Sequence, residues 1–159
     1  DEVYSPGKQV YETLRDVLKQ EKVPRSYTIV DADGVGSYLE SFLPGIKEFH
    51  GGGSPNNREK YENLRAECYF KLAELINERK IRVICNPDQR ERLMEELGAL
   101  KQAYIDNDVR RKGIIPKETM KIIIGRSPDY MDALMMNMFF RRTKPTNGAK
   151  MNVKSYSTE

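Results

Sequence analysis

The sequence predicts an α/β domain, and three observations carry that prediction. Apolar residues recur at helical spacing in three clear stripes: Val10, Leu14 and Leu18; Leu64, Cys68, Leu72 and Leu75; and Leu93, Leu97 and Leu100. Short strand-like runs, Tyr27–Val30 and Ile81–Cys85, interrupt them. A turn rich in aspartate and glycine, Asp31 to Gly36, follows the first run, at the kind of strand end where α/β proteins place ligands.

Taken in order, Ser5 and Pro6 form a helix start, with Ser5 as the N-cap and Pro6 at the first helical position. Pro24 stops that helix, and Tyr27–Val30 reads as a buried strand ending at Asp31. Beyond the glycine turn, Tyr38, Leu39 and Phe42 predict a brief helix halted by Pro44-Gly45. The stretch His50–Asn57, "HGGGSPNN", is a loop. A long helix is expected over 58–79, a strand over Ile81, Val83 and Cys85, and a helix opened by Asn86-Pro87. Tyr104-Ile105 and Gly113–Ile115 can pair as short strands. A helical turn over 117–124 ends at Gly125, and Ser127-Pro128 caps a helix running from Asp129 to about Phe140. The order helix–strand–helix–helix–strand–helix belongs to an α/β domain. No internal repeat of 20–50 residues is visible.

The 159 residues fit one domain with a real core, 38% hydrophobic and 32% charged. No apolar run approaches the roughly 20 residues of a membrane span, and no export segment is visible. Cys68 and Cys85 are too few for a disulfide framework and lack metal-ligand spacing, which favours a reducing cytoplasm. The net charge of +3 is unevenly spread. Arg141, Arg142, Lys144, Lys150 and Lys154 stand against Glu159 alone in a Gly-, Asn- and Ser-containing end. The simplest division is therefore an α/β domain over 1–140 and a basic flexible tail over 141–159, either merely solvated or in contact with nucleic-acid phosphate.

Several chemistries are excluded. Asp31-Ala32-Asp33-Gly34-Val35-Gly36 lacks the third glycine of a dinucleotide loop and puts acids where pyrophosphate would sit. The glycine–lysine–serine/threonine ending of a triphosphate loop is missing from the chain. An EF-hand needs Glu at its twelfth position, which here is Phe42. What remains is a turn that ends a strand, or a divalent-metal site. His50 beside its glycine run reads as a solvated loop histidine, and Cys68 and Cys85 read as core rather than nucleophiles. Met135, Met136, Met138, Phe139 and Phe140 read as core packing.

A second acidic pair sharpens the choice. In "GRSPDYMDALMMNMFF", Asp129 and Asp132 are three apart and share one helix face. Asp129 complements the helix dipole. Asp132 lies on a helix apolar nearly all round, and a buried carboxylate needs compensation, for which a divalent cation is one candidate. Short acids on a strand end and a helix start suit oxygen-ligated Mg²⁺ or Mn²⁺, and two such ions can drive phosphodiester hydrolysis.

The segments "YTIVDADGVGSYLESF", "YENLRAECYFKLAELI", "RLMEELGALK" and "KETMKIIIGRSPDYMDAL" resemble the C-terminal nuclease domain of the bacteriophage terminase large subunit, in order from about Val10 to Phe140. The resemblance implies a ribonuclease-H-like mixed sheet flanked by helices, and two-metal cutting of double-stranded DNA during genome packaging. It implies Asp31 and Asp132 as metal ligands, Asp129 as an auxiliary ligand and Asp33 in support. It also implies the terminase small subunit and portal as partners, no membrane, and the cytoplasm of a bacterial host.

In that family the first catalytic aspartate lies on a strand upstream of the helix with which this chain begins. The chain opens on Asp1, without an initiator methionine, so the expectation is a piece lacking the ATPase motor and that first acid, incomplete on its N-terminal side; otherwise the upstream residues lie outside this sequence. Weak Mg²⁺ or Mn²⁺ binding by an isolated piece follows, as does an exposed sheet edge inviting dimerisation. Arg58, Lys60, Lys121, Arg126, Arg141 and Arg142 are the expected DNA contacts. The alternatives are another ribonuclease-H-like nuclease such as a junction resolvase, or a non-catalytic DNA-binding or assembly module.

Overall fold

The structure, a computed structural model, describes residues 6–33, 38–103 and 111–142. The expected Ser5 cap, Gly34 and Gly36, the Tyr104-Ile105 strand and the basic positions beyond Arg142 lie outside the described residues. The chain divides into two compact units, residues 1–51 and 52–159.

In the first unit, helix α1 spans Pro6–Gln20. It ends where Lys22 takes a left-handed conformation (φ 54°) and the N–H groups of Lys22 and Val23 close on the carbonyls of Lys19 and Leu18. That is the Schellman pattern with lysine in the usual glycine position. A single 3₁₀ turn, Arg25–Tyr27, leads into strand β1, Ile29–Asp31. The strand begins two residues later than the periodicity suggested, because Tyr27 and Thr28 donate back to Pro24 and Arg25 in that turn. Helix α2, Leu39–Phe42, is the brief helix expected before Pro44-Gly45. Strand β2, Lys47–Phe49, was not legible in the sequence, and it pairs parallel to β1 with Asp31 opposite Phe49. Leu39, Leu43 and Ile46 form the core of this unit against Tyr11, Leu14 and Val30.

In the second unit, helix α3 spans Leu64–Asn77 and starts later than expected. Asn63 caps it by accepting the Ala66 N–H at 2.8 Å. The preceding residues are held otherwise, with Lys60 and Tyr61 turning back onto Asn57 and Glu62 bonding Lys112. Residues 81–85 alternate half-buried and exposed as a strand would, but pair with no strand among the described residues. Helix α4, Pro87–Ala99, opens with a capping box between Asn86 and Gln89. Strands β3, Gln102–Ala103, and β4, Gly113–Ile114, pair antiparallel. Helix α5, Lys117–Ile124, stops at Gly125, whose φ of 74° favours glycine. Helix α6, Asp129–Asn137, passes into a 3₁₀ turn, Met138–Arg141.

In place of one mixed sheet, the described residues form two two-stranded pairs, one parallel and one antiparallel, among six helices. The second core gathers Cys68, Tyr69, Leu72, Met120, Met131, Leu134, Met135 and Met138, so Met135 and Met138 pack inward as expected, while Met136, Phe139 and Phe140 are half-buried. Arg141 and Arg142, placed in the tail by composition, belong to the folded part. No helix among the described residues is long and apolar enough to cross a membrane.

Candidate functional site

The expected acids fall in both units, Asp31 and Asp33 in the first and Asp129 and Asp132 in the second. Because β1 and β2 run parallel, their carboxyl ends lie together, and the first acidic group forms there. Asp31, half-buried, accepts the Asp33 backbone N–H at 3.1 Å in an Asx turn. Asp33 Oδ2 accepts the Gly51 N–H at 3.1 Å. Asp33 Oδ1 lies 3.5 Å from His50 Nδ1, and His50 Nε2 lies 3.6 Å from Glu48 Oε2. His50 is exposed, as a loop histidine should be, yet it sits between two carboxylates. The sequence hid this group because β2, which brings Glu48 and His50 alongside, is only three residues long.

In the second unit Asp132 is buried on the first turn of α6. Its compensation comes from the protein. Tyr69 of α3 donates its hydroxyl to Oδ1 at 2.5 Å, Lys117 at the start of α5 places Nζ 2.7 Å from Oδ2, and Arg65 of α3 has Nη2 3.8 Å from Oδ1. Burial, then the charge and hydrogen bond of Asp132, push the Tyr69 phenol well above its ordinary pKa. The signals for these partners were faint. A lysine opening a helix is adverse to the dipole and asks for a carboxylate. A tyrosine on an apolar helix face asks for a polar partner. Asp129, by contrast, is exposed at the helix start.

Helix α6 is positioned by a carboxylate that sequence reasoning passed over. Its N-cap residue, Pro128, makes no side-chain cap. Glu96 of α4, fully buried, accepts the Met131 N–H at 2.8 Å and pairs through its other oxygen with Arg126. Arg126 also reaches Glu95 at 2.6 Å. Burial raises the Glu96 pKa above the ordinary carboxylate value, opposed by the Met131 N–H and by Arg126.

The expected DNA contacts divide. Arg58 and Lys60 lie exposed, with the Lys60 ammonium 5.2 Å from the Tyr61 ring centroid. Lys121 bonds Glu118 at 2.8 Å within α5. Arg126 is held by Glu95 and Glu96, and Arg142 by Glu67 at 2.6 Å and Asn56 at 2.7 Å. Arg141 is half-buried, and its Nε has no hydrogen-bond partner. Among the described residues no three His, Cys, Asp or Glu side chains converge on a cation position.

No family model matches the chain, and no curated protein matches it. Among solved structures it is similar to the nuclease domain of the large terminase subunit gp2 of bacterial virus Sf6, with a TM-score of 0.56 and 22% identity. The fold is terminase-nuclease-like. The likeness covers 69% of this chain and 63% of that chain, so the sequence spans under two thirds of the domain it matches. The α/β class anticipated from the motifs is thus found, in a fold similar over part of its length to that nuclease domain.

Proposed function

We propose that this chain forms nuclease structure of a phage or prophage terminase large subunit and serves to hydrolyse double-stranded DNA during genome packaging in the host cytoplasm. The observation that carries the reading is the fold likeness to a terminase nuclease domain, coupled with acids at a strand end and a helix start. Water is the nucleophile, so no covalent intermediate forms. Double-stranded DNA is the substrate, with terminase small subunit and portal as assembly partners and, as a route to dimers, the edges of the β1–β2 pair that no strand covers among the described residues.

Mg²⁺ or Mn²⁺ is the cofactor this reading calls for, with Asp31 and Asp132 as ligands and Asp129 and Asp33 in support. The described side chains do not present a vacant centre. Both Asp132 oxygens are engaged by Tyr69, Lys117 and Arg65, and one oxygen each of Asp31 and Asp33 accepts a backbone N–H. That satisfaction favours a second reading, a non-catalytic DNA-binding or assembly module whose acids hold the fold.

Plasmid cleavage separates the two. Chelator-sensitive nicking in Mg²⁺ or Mn²⁺, lost in both Asp31→Asn and Asp132→Asn, is the expected result. Cleavage that survives in either variant removes that residue from the site. An intact plasmid with retained duplex binding favours the module.

A further inference from the structure

In the first unit a cavity of about 220 Å³ is lined by Arg15, Leu18, Lys19, Val23, Arg25 and Leu43. Arg25 and Leu43 precede β1 and β2, whereas Asp31 and His50 end or follow them, so the cavity lies away from the acidic group. Its charged lining is wholly cationic: Arg15 and Lys19 from α1, and Arg25 from the 3₁₀ turn. Its floor is apolar, with Leu43 1% exposed.

Those cations are arranged at some cost. Arg15 and Lys19 are four apart on one helix, a spacing at which like charges repel. Arg15 is partly neutralised by Asp16 at 3.0 Å, but Lys19 has no carboxylate partner among the described residues. Complementing the end of α1 accounts for a lysine in its last turn. It does not account for Arg25, which comes from another element and converges on the same space. Nor do the last carbonyls of α1 leave an uncapped negative end, since Leu18 and Lys19 accept from Val23 and Lys22. The Arg15 guanidinium lies 5.8 Å from the Tyr11 ring centroid, and Tyr11 packs on Phe42 at 5.7 Å, which restricts the arginine beside the opening.

We propose that this cavity is a phosphate-ester site that takes one backbone phosphate of bound DNA between Arg15, Lys19 and Arg25, with the deoxyribose against Leu18 and Val23. The choice of DNA as the source of the phosphate rests on the nuclease reading. The cavity would anchor the strand away from Asp31, fixing where the duplex enters the first unit.

The test is binding of a short labelled duplex, followed by anisotropy over a KCl series with EDTA present so that no cutting occurs. Losing one phosphate contact makes the slope of log K on log[salt] shallower by about 0.9. Lys19→Gln and Arg25→Gln should each make the slope measurably shallower, and the double variant should lose no more than the roughly 0.9 that one phosphate contributes. Lys80→Gln, which removes the same charge beside Glu78 in the other unit, should leave the slope unchanged. Lys19 is exposed, so its variant retains the fold even where Arg25→Gln, which gives up a hydrogen bond to the Pro44 carbonyl, does not. An unchanged slope in Lys19→Gln, or an equal fall in Lys80→Gln, overturns the proposal. Saturable binding of inorganic phosphate at these side chains with an unchanged DNA slope also overturns it, assigning the cavity to a free anion. The plasmid assay reports on the cutting acids independently, so a failure of one reading is not a failure of the other.

Discussion

Replacing Glu96 by alanine, and separately by glutamine, asks what holds the helix that carries Asp132. Glu96 is 0% exposed, and its two oxygens do different work. One caps α6 through the Met131 N–H, a service that Pro128 does not supply; losing a cap costs about 1 kcal/mol. The other pairs with Arg126. Breaking a fully buried pair costs roughly 3–5 kcal/mol, but Arg126 is 31% exposed and keeps Glu95, so about 1 kcal/mol is the appropriate share. Truncation also empties space in the core, for about another 1 kcal/mol. Alanine should therefore destabilise by about 3 kcal/mol, a large fraction of a typical margin of roughly 5–15 kcal/mol. Glutamine keeps the shape and an acceptor for Met131. Because burial already penalises the Glu96 charge, the glutamine variant should lose only about 1 kcal/mol. Urea unfolding reads this as a lower midpoint at constant slope, with faster hydrogen exchange at the Met131 amide in the alanine variant. An alanine variant within about 0.5 kcal/mol of wild type, or one no worse than glutamine, would refute the capping role.

Two other predictions concern buried protons. Tyr69→Phe removes a hydrogen bond to a buried carboxylate and should cost about 2 kcal/mol in urea unfolding, while leaving Asp132 paired with Lys117; a neutral result would show that the hydroxyl is dispensable. For Cys68, burial, countered by Arg142 and reinforced by Glu67, pushes the thiol up to about 12 from 9.0. A raised folded value means that this group's stabilising contribution is complete below pH 9.0 and is lost as pH rises towards about 12, at about 1.4 kcal/mol per pH unit. Thiol titration of the native chain at pH 8 should accordingly count Cys85 quickly and Cys68 only after denaturant, and the alkaline loss of stability should be shallower in Cys68→Ala. Rapid modification of both thiols in the native state would contradict the burial.

Much of this architecture could be read from apolar spacing. The stripes on α3 and α4 declare which faces pack, whereas on α1 Leu14 packs inward with Tyr11 and Val10 stays exposed; Asn86 with Gln89 and Gly125 declare helix ends. The boundary at Asn63 was missed because "YENLRAE" continues to look helical, while the cap and the bridge from Tyr61 to Lys112 hold the residues before it. Strand β2 was missed because three residues cannot show a period. Residues 81–85 show the converse: their alternation is real, but a strand also needs a partner. The candidate acids stand out in the sequence by residue type and neighbours. Their partners do not, because Tyr69 meets Asp132 across 63 positions and Arg142 meets Glu67 across 75, distances over which local pattern carries no pairing signal.

On the proposed reading, the same pairings alter where DNA would be held. Arg126 and Arg142 were attractive phosphate contacts as bare charges in a sequence, but a guanidinium locked to a buried carboxylate presents little free charge to a ligand. Withdrawing either from the fold to meet DNA would leave Glu96 or Glu67 buried and unpaired, at a cost comparable with what one phosphate contact returns. On the proposed reading, DNA binding therefore draws on cations whose commitments are weak. Arg58 and Lys60 meet that condition in the second unit, and Lys19 and Arg25 meet it in the first. With a net charge of only +3, the chain has few to spare, which is why the salt slope, rather than affinity alone, distinguishes a side chain that touches phosphate from one that only builds the fold.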